Sequence, residues 1–199
     1  MISAKNGPDE LFEHAWSMLI RGKADRKHAF NLAVLCSLSP SSHPRSRTLV
    51  LRNVLKNKGE LWCYTDRRSQ KALSLEAGNT AMSWTFWSPR HKLQVTAHGE
   101  SAWLPADRTL KIFRSLPKHS RKAYATLAPP GTPTDQPTSG LPDDWEKRKL
   151  TETDYALKNF GVMVTTVHSM DVLQLGREGH LRLRADRNGD DWDLNWLIP

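Results

Sequence analysis

A chain of 199 residues, 38% hydrophobic and 25% charged, is long enough to bury one real core and short for two, and no run approaches the roughly 18 apolar residues of a membrane span. The net charge of +8 favours phosphates, whether of nucleic acid, a membrane surface or a small anionic cofactor, without separating the three. Two cysteines, Cys36 and Cys63, are too few and too far apart for a disulfide framework or a zinc site, so no metal is expected.

The N-terminus, MISAKNGPDELFEHAW, carries acids where a secretory signal has its apolar stretch, and a cytoplasmic location is the resulting expectation. Pro8, early acids, apolar residues at helical spacing and Gly22 as a stop predict a helix over about 8–21, lying outside the core. HAFNLAVLCSL, RSRTLVLRNV and ELWCYT read as three successive strands separated by turn-rich SPSSHP and LKNKGE. SQKALSLEA reads as a short helix with a serine at its start, and AMSWTFW and HKLQVTAHGESAWL resume the alternation of strands. PADRTLKIFRSLP and SRKAYATLA predict two short helices. A Pro-rich loop over about 128–144 follows, after which DWEKRKLTETDYALKNF regains some helix. FGVMVTTV, DVLQL, HLRLRA and DWDLNWLI give three or four closing strands, punctuated by HSM, GREG and DRNGDD. The expected fold is mainly β with flanking helices in one domain over 1–199, the strands forming a closed or nearly closed antiparallel barrel.

Nucleophile elbows, phosphate loops ending in GK[ST], HExxH and GxGxxG motifs are all missing from the sequence. A distributed anion site remains. Arg47 leads a strand, Tyr64 and Thr65 end the next, and Ser69 and Lys71 start a helix, so a guanidinium, an ammonium and a hydroxyl could converge on a phosphate monoester. The plain alternative is an edge-strand arginine and an ordinary surface lysine.

The run SRTLVLR, followed by LWCYTDRRSQKALSL, resembles the pyridoxamine 5'-phosphate oxidase-like flavoproteins, whose fold is the FMN-binding split barrel. The likeness continues through AMSWTFW and KLQVTAHGESAWL to DVLQL, HLRLR and the closing WLIP, and so spans Phe30 to Pro199. It implies FMN as cofactor, with Arg47 and Lys71 on its phosphate and Ser69 and Gln70 nearby. It further implies Thr48, Leu49, Val50 and Leu51 along the flavin, contacts from Tyr64, Thr65 and Gln94, and Arg184 reaching the flavin held mainly by the other subunit of a homodimer.

Departures from the family pattern shape the expected chemistry. Where the vitamin B6 oxidases have Arg-Leu-His in the substrate loop, this chain has His180, Leu181 and Arg182. Their substrate-phosphate clamp of Tyr, Arg and Ser corresponds to Ile112, Leu116 and Ser120, and a flavin-contacting Trp to Leu173. The implied function is therefore an FMN-dependent oxidoreductase acting on some small molecule or electron donor other than pyridoxamine or pyridoxine phosphate. Arg52, His180 and Arg182 are the candidates for substrate contact. The alternatives are a flavin carrier or sensor without turnover, and a basic barrel that stacks nucleic-acid bases on Trp84, Phe86 and Trp87.

Overall fold

The computed structural model describes residues 7–199. The first six residues, on which the reading of the N-terminus partly rests, lie outside the described residues. Helix α1 spans Pro8–Ala24, with Asp9 and Glu10 in its first turn and Arg21 and Lys23 in its last, each sign matching the helix dipole. It continues past Gly22, where a Cβ would stand 2.5 Å from the Phe30 carbonyl oxygen. Its apolar stripe, from Leu11 and Phe12 to Met18 and Leu19, is part of the main core instead of lying outside it.

The strands are β1 (Leu32–Leu38), β2 (Pro44–Val50), β3 (Asn53–Leu55), β4 (Glu60–Asp66), β5 (Ala81–Ser88), β6 (Leu93–Trp103), β7 (Phe160–Gln174), β8 (Leu181–Asn188) and β9 (Asp191–Leu197). All pairings are antiparallel, in the order β2-β1-β5-β6-β7-β4-β3, with β8 added to β7 and β9 to β8. The fold is thus mainly antiparallel sheet with flanking helices, a split barrel.

Two features close and split it. RSRTLVLRNV, which reads as one strand, changes partner midway. Up to Val50 it pairs with β1; Leu51 N–H then donates to the Asn31 carbonyl and Arg52 N–H to the Trp62 carbonyl (both 2.8 Å); Asn53–Leu55 pairs with β4. The two ends of the sheet are thereby joined. Against expectation, HSM is no turn. FGVMVTTVHSMDVLQ is a single fifteen-residue strand in which His168 is the extra residue of a bulge opposite His98 and Gly99. Before the bulge β7 pairs with β4, and after it with β8. Gly99 is needed there, because a Cβ would collide with the Thr166 carbonyl oxygen.

Helix α2 is Gln70–Glu76, α3 is Ala106–Ser115 and α4 is Lys118–Arg121. A second apolar cluster, including Trp62, Phe113, Tyr124, Trp145, Phe160 and Val162, brings α3 and the segments after it to the outside of β4 and β7. Arg121 is buried at its edge. Its guanidinium donates to the carbonyls of Leu116, Leu150 and Phe113 and pairs with Asp154 at 2.6 Å. Residues 125–144 contain no helix or strand, and their base is tied by the Leu127 N–H to the Gly140 carbonyl at 2.8 Å. The stretch after it forms 3-10 turns, Trp145–Lys147 and Thr151–Asn159, and no α-helix. Among the described residues no helix is long and apolar enough to cross a membrane.

Candidate functional site

Arg47 lies opposite Leu35, a fully buried residue of β1, so its side chain starts on the core face of the edge strand β2. A guanidinium in that place needs acceptors. Its Nη1 donates to Ser37 Oγ at 2.6 Å and, at longer range, to the Leu35 carbonyl at 3.4 Å. Lys71 approaches from α2, which buries Ala72 and Leu75. Lys71 Nζ donates to Ser69 Oγ at 3.1 Å, and Ser69 Oγ lies 3.3 Å from Thr65 Oγ1. Ser69 stands at the N-cap position of α2, but its hydroxyl makes no capping bond and is engaged by Lys71 and Thr65.

Burial makes both cations less basic than usual, and for Lys71 the neighbouring Arg47 adds to that effect while Cys63 and Asp66 oppose it. Cys63, fully buried, is within electrostatic reach of Lys71, Arg52 and Arg47, yet burial pushes its thiol up to about 12, so it is uncharged at neutral pH. Asp66 is committed elsewhere, to Arg68 at 2.7 Å. Among the described residues neither Arg47 nor Lys71 forms an ion pair with a carboxylate. The result is two half-buried cations within electrostatic reach of each other, Lys71 beside the buried hydroxyls of Ser69 and Thr65 and Arg47 on the buried hydroxyl of Ser37, with no carboxylate paired to either among the described residues.

Of the other sequence candidates, Leu49 packs on the main core and Leu51 is buried, on the same face as Arg47, whereas Thr48 and Val50 occupy the opposite, outward face. Tyr64 points away from the cradle, into the second apolar cluster, where its ring meets Phe160 edge-on at 5.3 Å. Only its backbone is shared with the Thr65 side. Gln70 is exposed, and its carbonyl accepts from Ser74 Oγ at 2.9 Å. The Arg52 guanidinium lies 5.2 Å from the Tyr64 ring centroid without an ion-pair partner among the described residues. Cys63 and Ser37, which sequence reasoning did not place here, become part of the site. Ser37 lies directly opposite Arg45, not Arg47, so cross-strand register alone gives no signal for the bond Arg47 makes to it.

Gln94 and Arg184 are not brought to the cradle within one chain. Both lie on the outward face of the sheet, in adjacent cross-strand rows: Trp87, Gln94, Leu173 and Arg182 in one, Thr85, Thr96, Asp171 and Arg184 in the next. Arg184 pairs with Asp186 at 2.8 Å, and Arg182 with Asp171 at 2.8 Å. His180 accepts the Gly176 N–H at Nδ1 (3.3 Å) beyond the start of β8. The same outward face exposes apolar side chains, Leu32 by 52%, Val34 by 45% and Trp87 by 44%. Trp84 and Phe86 are fully buried, so Trp87 alone of the three aromatics reaches solvent and no base-stacking platform forms. Ile112 and Leu116 pack against the second apolar cluster. No cluster of His, Cys, Asp and Glu suited to a metal occurs among the described residues.

With this geometry in view, the comparisons with known proteins are specific about family. No curated protein matches the chain in sequence. Two solved structures share the fold over nearly all of it. One is a pyridoxamine 5'-phosphate oxidase-related, FMN binding protein from Nostoc punctiforme PCC 73102, 19% identical, covering 100% of both chains at a TM-score of 0.77. The other is PhzG from Burkholderia lata 383 in complex with tetrahydrophenazine-1-carboxylic acid, 15% identical, covering 99% of this chain and 95% of that one at a TM-score of 0.69. Residues 12–105 match the family model described as pyridoxamine 5'-phosphate oxidase, FMN-binding domain, a stretch that takes in Arg47, Thr65, Ser69, Lys71 and Gln94. That segment, a little under half of the chain, matches the pyridoxamine 5'-phosphate oxidase-like FMN-binding domain family, and the two solved structures show the same fold over nearly the whole chain.

Proposed function

We propose that this chain is one FMN-binding domain that acts as an FMN-dependent oxidoreductase, working as a homodimer with the flavin between subunits. One observation carries the reading: Lys71 on α2 bonds Ser69 beside Thr65, Arg47 on β2 bonds Ser37 within electrostatic reach of Lys71, and among the described residues no carboxylate pairs with either cation. A phosphate monoester supplies the missing charge and accepts from guanidinium, ammonium and hydroxyl together. FMN, when bound, supplies the redox chemistry. The chain's own part is to fix the phosphate with Arg47, Lys71 and Ser69, to orient the cofactor and to shield it from water. Gln94 and Arg184 face outward, where a second copy docking on the exposed Leu32, Val34 and Trp87 would bring them to its cofactor.

The substrate in this reading is not pyridoxamine or pyridoxine phosphate. The positions expected to clamp a second phosphate include Ile112 and Leu116, which are used for packing, and the adjacent Arg121 is buried in its own hydrogen bonds. Arg52, without an ion pair among the described residues, is a cation available to an anionic substrate. The absorption spectrum of the purified protein tests the cofactor: oxidised-flavin maxima with FMN released on denaturation support it, and a protein still colourless after incubation with FMN sinks it. A carrier or sensor is the second reading, favoured by the commitment of Arg182 to Asp171. Anaerobic stopped-flow reduction separates the two, since a flavin reduced by dithionite but indifferent to NADH and NADPH points to the carrier.

A further inference from the structure

Asp66 ends β4 with its side chain 4% exposed, and a carboxylate that deep needs a partner. It shapes the turn that follows: its Oδ1 accepts the Arg68 N–H at 2.8 Å and its carbonyl accepts the Ser69 N–H at 3.0 Å. That turn hands the chain to α2 and so sets Ser69 and Lys71 beside Thr65. The Arg68 guanidinium folds back on the same carboxylate as a fork, Nε to Oδ1 at 3.0 Å and Nη2 to Oδ2 at 2.7 Å. Its remaining N–H groups reach a different part of the chain. Nη1 donates to the Thr126 carbonyl at 3.1 Å and, at longer range, to the Leu127 carbonyl at 3.4 Å, and Nη2 donates to Thr126 Oγ1 at 2.9 Å.

Thr126 and Leu127 form the first leg of the loop whose base is closed by the Leu127 N–H and the Gly140 carbonyl. Leu127 is 71% exposed, so burial of its side chain does not hold that base. Among the described residues Arg68 is the one side chain from outside the loop that bonds to residues 126–140. Asn159 keeps the two segments adjacent, its carbonyl accepting the Arg67 N–H at 2.7 Å and its Nδ2 donating to the Tyr124 carbonyl at 2.8 Å. We infer that Arg68 is a positioning residue for the anion cradle, which couples closure of the loop over residues 125–144 to the placement of Ser69 and Lys71 through the Asp66 turn. That the anion is the phosphate of FMN rests on the proposed function; the coupling itself does not. A lysine at this position would still neutralise Asp66, but as a point charge it cannot fork on the carboxylate and hold the loop at the same time.

Amide exchange followed by NMR on the ligand-free full-length chain tests it, with the amides of β5 and β6 as the internal control. Arg68→Ala should speed exchange about tenfold at Leu127, where the loop closes, and also at Ser69 and Leu73, where α2 begins, leaving the control strands unchanged. Asp66→Asn combined with Arg68→Ala removes the carboxylate that the single variant strands, keeps the net charge, and should show the same pair of changes. Arg68→Lys should recover the thermal midpoint lost in Arg68→Ala but not the slow exchange at Leu127 and Ser69. Thr126→Val, a change on the loop side only, should be felt at Ser69 and Leu73 as well. Faster exchange confined to the loop in Thr126→Val and in the double variant overturns the inference, as does wild-type exchange in Arg68→Lys. The double variant should also raise the Kd for FMN about tenfold in a fluorescence titration, and an unchanged Kd overturns the inference in a protein that binds FMN. A wild-type protein that binds no FMN loses the cofactor reading, and the exchange result then decides this inference alone.

Discussion

Lys71 has a serine hydroxyl as its bonded partner, an arginine nearby and, among the described residues, no paired carboxylate, so its ammonium is held at a cost. The sign of its titration follows. Its folded pKa is below the ordinary value of 10.5, so just below 10.5 the unfolded chain holds more protons than the folded one, and the ligand-free protein gains stability as pH rises through that window. A bound phosphate favours the ammonium and moves the pKa back up. FMN binding at alkaline pH should therefore take up protons, measurable by titration calorimetry in two buffers of different ionisation enthalpy, and Lys71→Gln should abolish that uptake. Arg47→Ala or Lys71→Ala alone should weaken FMN by about 2 kcal/mol, some thirtyfold in Kd, in a fluorescence titration. The double substitution should leave no retained flavin. A buried Cys63 thiol among these cations, with its pKa pushed up to about 12, should react with thiol reagents only after unfolding.

Among the elements, β7 shows why a single glycine can decide a split. Gly99→Ala would press a methyl group into the Thr166 carbonyl at the bulge where β7 passes from β4 to β8, and it should cost about 3 kcal/mol, seen as a lower urea midpoint. The strands around this point are legible in sequence because their alternation is a local signal: Leu93, Val95 and Ala97 go inward while Gln94, Thr96 and His98 go outward. The bulge is not legible. His168 and Ser169 look like turn residues, and what keeps them in a strand is pairing with β6, far away in sequence. The same limit explains Tyr64. Its place beside Thr65 suggests a shared site, but period-2 geometry sends the two side chains to opposite faces, and only the second apolar cluster shows what lies on the Tyr64 side. Motif order suggests Arg47 and Lys71 together, and the fold puts them within electrostatic reach of each other, whereas nothing in the sequence suggests Ser37, since the bond it receives runs diagonally from a residue not in register with it.

At the scale of the molecule, the outward face leaves Leu32, Val34 and Trp87 in solvent with Gln94 and Arg184 among them, the face that the proposed second copy would cover. Sedimentation should show a dimer, and Val34→Glu should shift it toward monomer with an unchanged far-UV circular dichroism spectrum. If the flavin bridges subunits, the same variant should lose FMN without any change in the cradle. The crossing at Leu51 and Arg52 has a mechanical consequence. Arg47, on the cradle side, and Arg52, over Tyr64, sit on one tether clamped to both edges of the barrel within two residues. Loading the cradle should therefore latch that seam and slow deuterium exchange at the amides of Leu51 and Arg52, so that one end of the tether senses what the other end holds.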